Sequence, residues 1–105
     1  MSRLDEHWVT FDIFPNYAIS NYGTVLNVAR NRELKPSKDK KGYFMVSLYR
    51  AGVPYECYVH RLVAKAFFLN YEEGVEVKHK NLDKSDNSVL NLTLGAGCRK
   101  GEKLW

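Results

Sequence analysis

The sequence predicts an α+β domain in which small antiparallel β hairpins pack on one main helix. Apolar and polar residues alternate in several short stretches, and glycine-containing turns separate these stretches, as in hairpins. Between residues 60 and 68 the apolar residues instead recur at spacings of three and four, as on one face of a helix. A chain of 105 residues has room for one modest core, so we expect one compact unit.

Two hairpins are predicted. The first covers residues 17 to 28, because Gly23 tolerates the positive φ that its tight turn requires. The second pairs a strand over residues 43 to 49 with a returning strand over residues 53 to 59, in which Tyr58 faces outward. The apolar side chains that share one face of the first of these strands are Phe44, Val46 and Leu48.

The main helix is predicted over residues 60 to 68, packed on the sheet. Its apolar face consists of Leu62, Val63, Ala66 and Phe67. Arg61 and Lys65 are four residues apart and therefore share the opposite face, where they form an exposed basic pair.

A basic run lies between the two hairpins. Its cations are Arg30, Arg32, Lys35, Lys38, Lys40 and Lys41, and only Glu33 and Asp39 offset them. The resulting local charge of +4 equals the formal net charge of the whole chain. Because like charges packed this closely repel one another unless an anion neutralises them, we expect a surface that contacts phosphate. A solvated loop is the alternative.

The segment from Val77 to Leu92 has the composition of a reaction centre. It gathers one histidine, His79, and three asparagines into a polar loop with apolar residues at both ends. The pattern predicts a short strand, an exposed loop and a return to the core. Imidazole titrates near neutral pH, which suits a histidine in such a loop to proton transfer.

Composition excludes several classes of protein. Cys57 and Cys98 have no second cysteine at metal-ligand spacing, so a zinc finger or a disulfide framework has no support. The first residues lack the apolar segment of a signal peptide, and no run approaches the roughly 18 apolar residues of a membrane span. We therefore expect a cytoplasmic protein with no membrane partner.

Four segments together resemble one known family. Residues 17–25, 42–48, 59–67 and 77–92 are similar, in order and spacing, to the HNH, or ββα-metal, homing endonucleases of bacteriophages and their N-terminal DNA-reading module. The resemblance implies a DNA-binding protein of a phage-infected bacterial host.

The resemblance also implies a division of the chain. Residues 1–41 would form an N-terminal β module with the basic loop, and residues 42–105 an HNH-like region that includes the ββα-metal hairpin. Three glycines after Leu94 each cost about 1 kcal/mol relative to alanine in a helix, so the terminal helix of that region is expected to be weak or missing.

Catalytic roles follow from the resemblance only at matching positions. His79 matches the general base, and Asn91 matches the asparagine that orients it. His60 matches a framework histidine at the start of the helix. The residues that match the family's polar, basic loop are Lys84, Asp86 and Asn87, of which Asn87 joins the candidate catalytic set.

The two metal-ligand positions of the family are occupied by Lys78 and Lys100. An ammonium has no lone pair to donate, and a unit positive charge about 4 Å from a divalent cation costs roughly 8 kcal/mol at an effective dielectric of 20. No metal cofactor is therefore expected. If the protein is active, Mg²⁺ or Mn²⁺ would need Asp83 or Asp86 as a replacement ligand.

Three functions remain open on the sequence. The leading hypothesis is an HNH-like protein that binds DNA but has lost or impaired metal-dependent cleavage. Its expected nucleic-acid contacts are the six cations of the basic run, with Arg61, Lys65, Lys78, Lys84 and Lys100. The alternatives are an active nicking or homing endonuclease, and a phage inhibitor that uses the degenerate nuclease fold to bind a host protein.

Overall fold

The computed structural model describes residues 6–72 and 74–95. The strands are β1 (Trp8–Thr10), β2 (Tyr17–Ser20), β3 (Val25–Asn27), β4 (Arg32–Glu33), β5 (Ser37–Lys38), β6 (Phe44–Arg50), β7 (Val53–Tyr58), β8 (Val77–His79) and β9 (Leu92–Leu94). Helix α1 (Val59–Phe67) follows β7, and a 3₁₀ helix (Val89–Asn91) precedes β9. The predicted α+β class is confirmed. The predicted weakness of a terminal helix concerns residues outside the described ranges.

The first sheet has the antiparallel order β1-β2-β3-β4 and contains the first predicted hairpin. Ala18 pairs with Leu26 at its centre. The turn is organised by Ser20, which is fully buried and whose hydroxyl oxygen accepts hydrogen bonds from the backbone N–H groups of Tyr22 (3.1 Å) and Thr24 (3.3 Å). Gly23 completes the turn at φ +88°.

The second sheet has the order β5-β6-β7, with the long β6 in its middle. Val46 and Leu48 of β6 face the core, as the alternation predicted. The basic run was expected to be a loop, but it contains β4 of the first sheet and β5 of the second. Arg32 therefore belongs to the first sheet and Lys38 to the second, while the other four cations lie in the turns and connections around these strands.

Helix α1 begins directly after β7, one residue earlier than predicted, and ends at Phe67. Its first residue, Val59, is buried, so the helix packs against the core from its first turn. Phe68 has an extended backbone and closes the helix by donating its N–H to the carbonyl of Ala64. Val63 is fully buried within the core. No helix of the described residues has the length and apolarity that a membrane crossing requires.

The third sheet is the antiparallel pair β8-β9, which packs on α1. His79 pairs with Leu92, and both side chains are buried; Lys78 pairs with Thr93, and both are exposed. The strand, polar loop and return that the sequence predicted for residues 77 to 92 are present. The sheet thus turns His79 toward the core and Lys78 away from it.

Candidate functional site

His79 ends β8 inside a cluster of four rings, which we call the ring cluster: Tyr43, Tyr58, His60 and His79. The imidazoles of His60 and His79 lie 5.1 Å apart between centroids, and the ring of Tyr43 stacks on His60 at 5.0 Å. Tyr43 also lies 6.0 Å from His79. The side chain of His79 is only 7% exposed, so its orientation is fixed by packing.

A hydrogen bond to Asn87 also holds the imidazole ring of His79 in place. The side-chain Oδ1 of Asn87 lies 2.7 Å from Nε2 of His79, and Asn87 itself is buried. An amide oxygen only accepts hydrogen bonds, so Nε2 carries the hydrogen of the neutral imidazole. Nδ1 of His79 then carries the lone pair, which is the arrangement that a general base needs.

The turn of the first hairpin packs closely against the backbone of Asn87. A Cβ at Gly23 would lie 2.9 Å from the backbone oxygen of Asn87, closer than real contacts allow. Two residues before Gly23, the carbonyl of Asn21 accepts the N–H of Val89 at 2.8 Å. The turn of the N-terminal sheet therefore lies directly against the loop that carries Asn87, the partner of His79.

Asn91, the residue expected to orient His79, closes the loop instead. Its Nδ2 donates to the backbone carbonyl of Asp86 and to Oδ1 of Asn81, both at 2.9 Å. Its own carbonyl accepts the N–H of Lys80 at 2.7 Å. The side chain that is hydrogen-bonded to His79 is that of Asn87, four residues earlier, so the geometry favours Asn87 for the orienting role.

The loop carboxylates are engaged in short turns. Asp83 accepts hydrogen bonds from the hydroxyl (2.6 Å) and backbone N–H (3.0 Å) of Ser85, and these two bonds lower the pKa of Asp83. Asp86 accepts the hydroxyl of Ser88 at 3.1 Å and the Nδ2 of Asn81 at 3.3 Å. These contacts shape the loop that follows His79.

The described donors do not fit a divalent cation. Mg²⁺ and Mn²⁺ require several oxygen or nitrogen lone pairs, which the ammonium of Lys78 lacks. Within residues 6–72 and 74–95, no three His, Cys, Asp or Glu side chains lie close enough together to hold a metal ion. Lys100, at the second replaced position, lies outside these ranges. The expected absence of a metal cofactor stays a prediction.

His60 is buried without a polar partner for one of its nitrogens. Its Nδ1 is inaccessible and has no hydrogen-bond partner among the described residues. Burial, followed by the neighbouring charges of His79 and Arg61, lowers the pKa of His60 to about 4. His60 is therefore neutral at pH 7 and packs its ring against His79, and its framework role stays a prediction.

Asp39 shapes the turn at the end of the basic run. Its Oδ1 accepts the backbone N–H groups of Lys41 (2.8 Å) and Tyr43 (3.0 Å), and its Oδ2 accepts the Tyr58 hydroxyl (2.8 Å). Desolvation raises the pKa of Asp39, but these hydrogen bonds outweigh it and leave the pKa below its ordinary value. The carboxylate thus presents Lys40 and Lys41 next to the ring cluster.

Lys84 joins this turn to the loop of His79. Its Nζ donates to the backbone carbonyl of Lys41 at 2.7 Å and lies 4.7 Å from the centre of the Tyr43 ring. Such a cation over an aromatic face is stabilising, more so when partly desolvated. Lys84 was expected to contact nucleic acid, and in this structure its ammonium also has a role within the fold.

The predicted cations line three clefts. A cleft of about 880 Å³ is lined by Arg30, Arg32 and Lys35. A second, of about 470 Å³, is lined by Lys40, Lys41 and Arg61 beside the ring cluster. A third, of about 320 Å³, contains His79, Lys78, Lys84 and Leu82. Lys38 lies over the Phe44 ring at 5.7 Å, and Lys65 is exposed on α1.

Sequence reasoning missed the aromatic part of the site. Tyr58 was predicted to face outward from the second hairpin, but its ring contacts Tyr43 and His60 and its hydroxyl donates to Asp39. The available signal was the proximity of Tyr58 to His60 in the sequence. Side chains two residues apart have no fixed relative direction where a strand passes into a helix. The sequence pattern alone therefore could not show that Tyr58 and His60 are in contact.

Two family models match the chain. A model of the NUMOD4 motif matches residues 6–49, and a model of HNH endonucleases matches residues 57–96. The DNA endonuclease I-HmuI of Bacillus phage SP01 is 39% identical over 77 residues, which are 73% of this chain and 44% of that protein. The H-N-H endonuclease F-TflII of Escherichia phage T5 is 32% identical over 91 residues, 85% of this chain and 47% of that protein.

A solved structure supports the same assignment. The structure of DNA binding and cleavage by the HNH homing endonuclease I-HmuI matches with a TM-score of 0.79 and 34% identity, over 85% of this chain and 52% of that one. This chain therefore spans about half the length of these relatives. The matched segments include the β2-β3 turn, α1 and the loop of His79, which together form the site. The chain belongs to the HNH endonuclease family and carries a NUMOD4 motif ahead of its HNH segment.

Proposed function

We propose that this protein binds duplex DNA and that its metal-dependent cleavage is lost or impaired. The observation that carries the proposal is the pair of adjacent residues at the end of β8. His79 is buried and hydrogen-bonded to Asn87 as a general base requires, whereas the residue before it is a lysine with an exposed side chain. The base is retained, and a ligand position beside it is not.

DNA is the proposed partner on grounds of charge and kinship. The relative I-HmuI is described as a DNA endonuclease, and basic residues line the three clefts described above, although not a fourth, smaller one behind Asn87. Lysine and arginine on such a surface bind phosphate by releasing counterions, which gives an affinity that falls steeply with salt. We assign backbone contacts to the basic run and Arg61, with Lys65, Lys78 and Lys100 as further candidates.

The proposed division of labour follows the division of the chain. Residues 1–41 supply the basic run, and residues 42–105 supply the base and its supporting rings. Nδ1 of His79 would accept a proton from a water molecule beside a bound phosphate. We derive no step through a metal ion, because the described donors do not fit one. The relatives named above are described as endonucleases, which lends no support to a host protein as the partner.

A nicking assay on supercoiled plasmid tests the proposal. With Mg²⁺ or Mn²⁺, we expect little nicking by the natural protein and more by Lys78→Asp, which restores a carboxylate beside the base. The double variant Lys78→Asp with His79→Ala should lose that gain. Calorimetric titration with Mn²⁺ should show binding to Lys78→Asp that the natural protein lacks.

The same assay examines the alternative of an active endonuclease. Efficient nicking by the natural protein that disappears in His79→Ala would establish an active enzyme and refute impaired cleavage. Binding to a mixed-sequence duplex, followed by fluorescence anisotropy, is the independent readout. Absence of salt-dependent binding would refute the DNA-binding proposal itself.

A further inference from the structure

Leu82 has a backbone conformation that is unfavourable for its side chain. Its φ is +66°, and only two other non-glycine residues of the described chain, Asn31 and Ala51, have positive φ. Asparagine tolerates the left-handed region through local hydrogen bonding, and alanine has the smallest side chain that feels the strain. A leucine there is an outlier that needs an explanation.

The loop holds this conformation from both sides. The N–H of Leu82 donates to the carbonyl of His79 at 3.1 Å, and the next N–H, of Asp83, donates to Oδ1 of Asn81 at 2.9 Å. Asp86 donates its N–H back to the Asp83 carbonyl at 3.0 Å. The turn geometry is thus set by its hydrogen bonds, and a glycine at position 82 would satisfy it without strain.

The leucine side chain contributes little to the core. It is 85% exposed, so it gains almost no burial from folding. A bulky apolar group that is both strained and exposed stabilises the protein less than a glycine would. Its contribution must then come from something that covers it.

The surroundings of Leu82 indicate what that partner is. Leu82 lines the third cleft together with His79 and the lysines at positions 78 and 84, and Lys80 is exposed two residues before it. Glu76 also lines this cleft, but the three lysines around Leu82 outnumber it. An apolar tip on such a net positive surface matches a nucleic-acid duplex, whose phosphates take the cations while its base stack accepts the apolar group. A purely apolar protein surface would leave the exposed ammonium groups of Lys78 and Lys80 without a counter-charge.

We propose that Leu82 is a wedge that inserts into a base step of duplex DNA and unstacks it beside the phosphate that faces His79. The proposal rests on the proposed DNA binding. Leucine is among the side chains that proteins use to kink a duplex in this way. The wedge deforms the strand next to the base, and the lysines around it hold the deformed backbone.

The variant Leu82→Gly separates the wedge from a role in the fold. We expect its thermal stability to equal or exceed that of the natural protein, because glycine relieves the strain. Its affinity for a mixed-sequence duplex should fall about tenfold, the loss of one buried leucine contact. In a duplex that carries 2-aminopurine, the natural protein should raise the fluorescence of the unstacked base, and Leu82→Gly should not.

Two further variants complete the experiment. Leu82→Met retains an apolar side chain and should keep both affinity and the fluorescence rise. Leu90→Ala removes a leucine of matching exposure, 83%, from the 3₁₀ helix outside the third cleft and should leave both unchanged.

Each remaining outcome is informative. Equal affinity and equal fluorescence for Leu82→Gly and the natural protein would refute the wedge and leave DNA binding intact. A lower thermal stability of Leu82→Gly would show that Leu82 supports the fold and would overturn the premise. If the natural protein binds no duplex at low salt, the wedge and the proposed function are both refuted.

Discussion

At the scale of single residues, His60 couples folding to pH. Its pKa is about 4 in the folded chain, against an ordinary value of about 6.5 in the unfolded chain. Between these two pKa values only the unfolded chain binds the proton. The contribution of His60 to the free energy of unfolding is therefore fully present above pH 6.5 and is lost as the pH falls toward 4. The slope from this one group reaches about 1.4 kcal/mol per pH unit.

Chemical denaturation across this pH range measures the effect. His60→Phe keeps a ring against Tyr43 and removes the titration, so its stability should depend less on pH than that of the natural protein. His7→Gln, which changes an exposed histidine, is the control and should keep the natural slope. Identical profiles for His60→Phe and the natural protein would contradict the assignment.

The candidate site shows how far residue types alone lead. His79 and Asn87 were both named from the sequence, and the structure brings them within 2.7 Å of each other. The choice between Asn87 and Asn91 was not available from the sequence. Both lie in an irregular loop, where side-chain direction depends on hydrogen bonds such as those of Asp83 and Asp86 and follows no period.

At the scale of elements, the turn between β2 and β3 is a structural support of the site. Gly23→Ala adds a Cβ at φ +88° and places it 2.9 Å from the backbone oxygen of Asn87. Gly52→Ala adds the same strain at φ +80°, and no atom of the described chain lies within 4 Å of its Cβ. Both variants add backbone strain, and only Gly23→Ala adds a steric clash, so their difference in stability measures the clash.

We expect Gly52→Ala to cost about 1 kcal/mol of stability and Gly23→Ala about 2 to 4 kcal/mol, because the second change must also move the Asn87 backbone. Thermal and denaturant unfolding measure both. The imidazole NMR signals of His79 should shift in Gly23→Ala only. Equal destabilisation by the two changes would mean that the turn does not support Asn87.

Elements with a long repeat were predictable, and short ones were not. The helix was placed within one residue at each end, because its apolar spacing covers two turns. The first hairpin was predicted from its glycine turn. Strands β4 and β5 have two residues each, too few for an alternation to be visible, and the basic run was therefore taken as a loop.

At the scale of the whole molecule, the positive charge is spread over separate surfaces. Replacing Lys38, Lys40 and Lys41 with glutamate should weaken duplex binding. The slope of log affinity against log salt, which is negative, should become less steep by about 3. Replacing Arg30, Arg32 and Lys35 in the same way changes the charge equally at the first cleft. Comparing the two shows whether the duplex covers one surface or both.

Fluorescence anisotropy over a salt series gives the slopes. Arg50→Glu, an exposed cation outside the residues that line the first two clefts, controls for net charge and should change the slope little. Unchanged affinity and slope in both triple variants would remove the basic run from the interface. The overall charge could be read from the sequence, but its partition depends on which sheet each short strand joins.

The contact between Gly23 and Asn87 bears on how such proteins recombine. The two segments that match separate family models meet at this point, where a backbone turn of one occupies the space behind an amide of the other. We expect that an exchange of N-terminal segments between relatives would preserve the placement of Asn87 and His79 only if the incoming turn also lacks a side chain there. Alongside the hydrogen bond between Asn21 and Val89, the hydrogen atom of Gly23 in place of a methyl group is thus one condition for the two segments to fit together.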